Sequence, residues 1–225
     1  MTESFQTTRW TRVIAAKGDE TALSELCEAY YAPIHAYLQH TVRDLPEDGI
    51  RDLTHAFFEQ LLQKPGLDSL ERGRGKFRSY LLGAVKHFLA NWRTKKAAQK
   101  RAGDSDPKPV DESNTSVDAT DDRVYDRKWA LAILARGLAA LSEKTDHSEQ
   151  FAALKPWLTG DYPKKTQAEV AHDLGMSESA VKVAIHRLRK RFRECVKTEI
   201  AHTVASKDAV AEELSYFIEV LGHHG

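Results

Sequence analysis

Residues Thr166 to Val196 read TQAEVAHDLGMSESAVKVAIHRLRKRFRECV. The spacing predicts two short helices joined by a tight turn, the second ending in a dense basic run. Val170, Ala171 and Leu174 give the first helix its packing side. Val181, Ala184, Ile185 and Leu188 do the same for the second, at helical spacing. Gly175 falls where the chain must turn sharply, which favours a residue tolerant of positive φ. Ala171 is small, as two closely crossing helices require. Ser177 stands where an N-cap is wanted. This is the layout of a helix-turn-helix, whose second helix lies in a DNA major groove. A basic helix that merely packs would not need the capped turn before it.

Once the packing side is subtracted, Glu178, Ser179, Lys182, Val183, His186 and Arg187 face outward, followed by Arg189 and Lys190. With Ser177 they form the candidate contact set for duplex DNA. Residues in the first turns reach base edges, whereas the later cations suit phosphates. Glu178 is chemically suited to a cytosine amino group, and Lys182 and Arg187 to guanine.

A second basic stretch lies upstream, Lys76 to Arg101, KFRSYLLGAVKHFLANWRTKKAAQKR. From Gly73 to Gly103 there are nine Lys and Arg and no acid. Phe77, Tyr80, Leu81, Ala84, Val85, Phe88 and Trp92 recur at helical spacing. Two readings stay open. The aromatics form a core stripe, or some stand beside cations as a single-stranded nucleic acid site does, stacking bases and pairing phosphates. Gly73-Arg74-Gly75-Lys76 lacks the earlier glycine and the following hydroxyl of a phosphate-cradling loop.

The rest of the chain predicts helices and no strands. Thr21 to Gln39 carries Leu23, Leu26, Tyr30, Ile34 and Leu38 on one face, with Pro33 either kinking it or opening a new segment. Ile50 to Lys64 follows, with Leu53, Phe57 and Leu61. Ala102 to Thr120 has almost no large apolar residue, and eight acids fall between Asp104 and Asp126, so it reads as a flexible acidic linker. Helix resumes near Asp126. Asp146-His147-Ser148-Glu149 reads as a cap for the next helix, and Ser206 for the last. The expected organisation is all-α: a first small helical domain at residues 1–101, a linker at 102–125, a second small domain at 126–200 and a C-terminal helical extension at 201–225. The extension reads either as a cover for the second domain's apolar side or as a regulatory latch.

The chain has 225 residues, 41% of them hydrophobic, and a formal net charge of zero, so only the distribution of charge is informative. Cys27 and Cys195 lack metal-ligand spacing and are expected as reduced thiols of a cytoplasmic protein. No apolar run is long enough to span a membrane. There is no HExxH pair, P-loop, cysteine quartet or nucleophile elbow. No catalytic residue, metal, cofactor or small-molecule substrate is therefore expected. The competing reading is a stand-alone helix-turn-helix regulator that binds duplex DNA unaided.

Several segments together carry a family likeness: Thr8-Arg9-Trp10, Leu26 to Leu38, Asp52-Leu53-Thr54 with Phe57-Phe58, Gly75 to Trp92, Arg127 to Leu131, and Gly175 to Phe192. In these the chain resembles bacterial RNA polymerase sigma factors of the sigma-70 family, extracytoplasmic-function (ECF) subfamily, and most closely a branch common in planctomycete-type bacteria. The resemblance implies a first domain like sigma region 2 and a second like region 4. It implies that Asp52, Leu53, Phe57 and Phe58 dock on core RNA polymerase. Asn91, Trp92, Arg93, Lys95 and Lys96 would meet the melted −10 element of promoter DNA, and Ser177 to Lys190 the duplex −35 element. The family usually carries Gln-Glu where this chain has His55 and Ala56, which predicts weaker polymerase docking. Phosphorylation of Thr54 by a Ser/Thr kinase would restore negative charge there. An anti-sigma factor is a further expected partner.

Overall fold

The computed structural model describes residues 20–63, 76–103, 119–145, 149–159 and 165–222. Thr8-Arg9-Trp10, the loop up to Gly75, the linker at 104–118, the cap residues Asp146-His147-Ser148 and the loop at 160–164 lie outside them. The described residues fold as helices: α1 (Glu20–Thr41), α2 (Glu47–Gln63), α3 (Phe77–Gly103), α4 (Ala119–Glu143), α5 (Glu149–Leu154), α6 (Pro156–Thr159), α7 (Gln167–Asp173), α8 (Glu178–Ala201) and α9 (Lys207–Gly222). The chain is all-α, as its periodicity requires. α1 continues through Pro33 as one helix. The backbone hydrogen bond a helix loses at an internal proline costs about 3 kcal/mol. Complete burial of Ile34, Tyr37 and Leu38 just beyond it offsets that loss.

Contacts divide the chain into two compact units, Met1–Ala132 with Ala201–Gly225, and Ile133–Ile200. This partition differs from the expected one at two points. The acidic stretch expected to be linker up to residue 125 is helical from Ala119, and the C-terminal extension belongs to the first unit.

The first unit is centred on Tyr30, Ile34, Leu81, Tyr125 and Trp129, all essentially buried. α4 begins with Asp121 and Asp122 in its first turn, where acids suit the helix dipole. The acids at this end of the helix meet basic side chains of packed helices. Asp122 meets Lys86 at 2.8 Å, Asp121 lies 3.4 Å from His40, and Asp126 meets Arg78 at 2.6 Å. That pairing explains why the segment is ordered. Trp129 donates its indole N–H to the Tyr30 hydroxyl at 3.1 Å.

The extension closes the same unit. An antiparallel bridge joins Lys76 to Val204, and the Phe77 N–H donates to the Thr203 carbonyl at 3.1 Å. Ser206 caps α9, its hydroxyl accepting from the Ala209 N–H. α9 buries Val210, Glu213 and Phe217, and the Phe217 ring meets Trp129 edge-on at 6.0 Å. Arg78 lies among Glu213, Asp126, Trp129 and Tyr216, its guanidinium 5.0 Å and 4.3 Å from the two ring centroids. Burial opposes its charge. The hydrogen bond it donates to Glu213 and the charges of the two carboxylates nevertheless raise its pKa above the ordinary arginine value.

The second unit packs Leu141, Phe151, Leu154, Val170, Ala171, Val181, Ile185, Leu188 and Cys195 into one core. Both cysteines are buried and free, and burial pushes the Cys27 thiol up to about 12.

Candidate nucleic-acid interfaces

The α7–α8 pair forms as its residues dictate. Thr166 caps α7 in a reciprocal box: its hydroxyl accepts from the Glu169 N–H at 3.2 Å, and the Thr166 N–H donates to the Glu169 carboxylate at 2.6 Å. Gly175 adopts φ +63° in the turn. The Ser177 hydroxyl accepts from the Ala180 N–H at 3.2 Å and so starts α8. Val181, Ile185 and Leu188 then point inward.

Ser177, Glu178, Ser179, Lys182, Val183, His186, Arg187, Arg189 and Lys190 are all exposed. Val183 is 49% exposed, a large apolar side chain in the middle of a charged face. Ser179, Val183 and Arg187 help line a groove of about 520 Å³, together with Gln150 and Met176. Such a face offers donors, one acceptor acid and one methyl-bearing side chain to a groove of bases, where a thymine methyl is read by apolar contact. The later cations are not equivalent. Arg189 donates from Nε to the Trp157 carbonyl at 3.2 Å, and Arg191 donates to the Lys144 carbonyl at 3.0 Å. Both tie neighbouring backbone ends within the unit, a role that spacing alone did not separate from that of Lys190.

The upstream segment divides into a buried stripe and a more exposed end. Phe77, Leu81, Val85, Phe88 and Leu89 of α3 are core. Toward the end of the helix Asn91 and Lys95 are exposed, while Trp92, Arg93 and Lys96 are half-buried. Lys96 lies 4.8 Å over the Trp92 ring.

On α2, Asp52 is exposed, but Leu53, Phe57 and Phe58 are buried in the first unit's core. The side chains available at this surface are Asp52, His55, Ala56 and Glu59, all exposed. The surface also has a neighbour that the sequence did not reveal: the Tyr31 hydroxyl lies 3.1 Å from His55 Nε2, and its ring stacks on Phe58 at 6.0 Å. Thr54 corrects an expectation. It is 0% exposed and its hydroxyl donates to the Ile50 carbonyl at 2.7 Å, so a phosphoryl group has no room there.

The family model for ECF sigma factors matches residues 6–198. The chain belongs to the ECF sigma factor family. No curated protein and no solved structure matched it. As an ECF sigma factor the chain has the general role of an RNA polymerase sigma factor, and its family implies binding to core polymerase and promoter DNA. The matched residues include both basic surfaces and end before α9. Among the described residues no helix is long and apolar enough to cross a membrane, and no cluster of His, Cys, Asp and Glu could hold a metal.

Proposed function

We propose that this sigma factor directs core polymerase to specific promoters through two separate DNA contacts. α8 of the second unit reads the duplex −35 element. Glu178, Lys182, Val183 and Arg187 contact base edges, and Lys190 contacts phosphate. The end of α3, from Asn91 to Lys96, meets the unpaired strand of the −10 element, with Trp92 as a stacking ring and Lys95 and Lys96 for phosphates. Asp52 and Glu59 of α2 face polymerase. Ser/Thr-kinase control, if exercised, acts at a residue other than Thr54, and an anti-sigma factor would compete for one of these same surfaces. The protein makes no bond itself; it positions an enzyme that does.

The observation that carries this reading is the two-faced character of α8. Its inward side is a continuous apolar core, and of the exposed residues from Ser177 to Arg187 all but Val183 are polar. Neither contact need be tight alone, because attachment to polymerase raises the effective concentration of each at its element. The test is run-off transcription with purified core polymerase on genomic DNA, with the start sites sequenced. Starts sharing two spaced elements support the reading. Tight, specific duplex binding without polymerase, and no polymerase association, would establish a stand-alone regulator instead.

A further inference from the structure

At the end of α3 the cations are already engaged. Lys96 Nζ lies 2.6 Å from Asp44 Oδ2 and 4.8 Å over the Trp92 ring. Arg93 donates to the Thr41 carbonyl at 3.3 Å. Thr41 is the last residue of α1, and Asp44 sits in the turn between α1 and α2. One corner of the first unit thus gathers two cations that the −10 contact would use.

The ring of Trp92 can stack an unpaired base only if its face is open. An ammonium held over the face occupies that place by cation–π attraction. We propose that Asp44 is a built-in competitor of nucleic acid, tethering Lys96 across the Trp92 ring so that a base stacks there only after the ammonium leaves the carboxylate. The inference rests on reading Asn91 to Lys96 as the single-strand contact.

The hydrogen bond from Lys96 holds the Asp44 carboxyl below the usual carboxylate range, so the tether is charged at neutral pH. Both partners are substantially exposed, which makes the pair weak and easily exchanged. A phosphate can replace the carboxylate, and a base can replace the ammonium on the ring. Unpaired DNA brings both at once. Duplex DNA brings the phosphate but keeps its bases stacked, so it gains only half of the exchange. Asp44 therefore biases the surface toward melted strands.

The experiment uses the full chain bound to core polymerase. It measures affinity for a promoter fragment, taken from a mapped start site, whose −10 segment is unpaired. Asp44→Asn should bind this forked DNA about two- to five-fold more tightly, the range of an exposed ion pair. Asp48→Asn is the control, removing an equal charge from an exposed neighbour that pairs with Arg51 instead. It should gain less. In a Lys96→Met background the Asp44→Asn gain should vanish. If Asp44→Asn gains no more than Asp48→Asn, or its gain survives Lys96→Met, Asp44 acts only as diffuse charge and the tether is wrong. Trp92→Ala separates the underlying reading from the tether. It should weaken forked-DNA binding on the order of ten-fold. Unchanged binding would overturn the single-strand reading of this segment, and the tether with it.

Discussion

Arg78 of α3 donates from Nε to Glu213 of α9 at 2.9 Å, and the Glu213 side chain is completely buried. Removing one member leaves the other buried with one partner fewer, Arg78 still meeting Asp126 at 2.6 Å and Glu213 still 3.2 Å from Lys76, which costs up to about 3–5 kcal/mol, the figure for a buried charge left wholly unpaired. Glu213→Ala and Arg78→Met should therefore lower the thermal midpoint of the first unit by many degrees. Deleting residues 206–225 should do at least as much. Circular dichroism melts read the effect, and an unchanged midpoint would show that α9 is dispensable to the unit.

Gly137 and Gly175 should both lose stability on enlargement, for different reasons. A Cβ on Gly137 would approach Val196 Cγ2 to 2.8 Å and the Val196 backbone to 3.3 Å, so α4 and α8 must part within the second unit. Gly137→Ala should cost about 1–3 kcal/mol as overpacking. Gly175 has open space around it and only its φ of +63° to defend. Gly175→Ala should cost about 1 kcal/mol. Urea titration of the two variants measures both costs.

Lys182→Ala and Arg187→Ala should each change preference at single −35 positions by about 1–3 kcal/mol. Lys190→Ala should instead weaken all sequences evenly and lower the salt slope by about one. Arg189→Ala should depart from this pattern, because its guanidinium ties the Trp157 carbonyl. Its main effect should be a lower unfolding midpoint. Salt-dependent promoter binding and melting of the four variants together check the assignments.

Ala56→Glu adds an acid to the exposed row of Asp52, His55 and Glu59. It should tighten association with core polymerase several-fold at low salt and less at high salt. Equal affinities by titration would mean that this surface has no charge deficit.

Glu169 is held below the ordinary glutamate value of 4.5, chiefly by the Thr166 backbone N–H and then by its hydroxyl. A carboxyl depressed on folding stabilises above its unfolded pKa and loses that contribution as pH falls through the folded one. The stability difference between wild type and Glu169→Gln should thus be constant at neutral pH and shrink in acid below about 4.5. A difference that persists to low pH would remove the carboxylate from the cap.

The helix-turn-helix was legible because every signal in it is local. Thr166 and Glu169, Gly175 and Ser177 act within one or two turns of chain. The buried stripe of α3 was equally plain, yet which cations of that helix were committed inward was not. Arg78 resembles Lys86 or Arg93 in sequence, and its environment comes from Asp126, Trp129, Tyr216 and Glu213, the last of them 135 residues away. The acidic stretch misled for the same reason. Composition sees charge that cannot build a core, but not the Lys86 and His40 that receive Asp122 and Asp121. On α2, family likeness named a contact set, while burial shows that Leu53, Phe57 and Phe58 are core.

The first unit is assembled from two distant stretches of chain, with the second unit encoded between them. A ribosome releases Phe77, Arg78 and Trp129 long before Thr203, Glu213 and Phe217 exist to meet them. The later-encoded second unit is contiguous and can close as soon as it emerges. The usual N-to-C order of maturation during synthesis is therefore inverted, and the unit made first is finished last. A premature stop anywhere in the final helix would leave the front of the protein incomplete while its helix-turn-helix still folds.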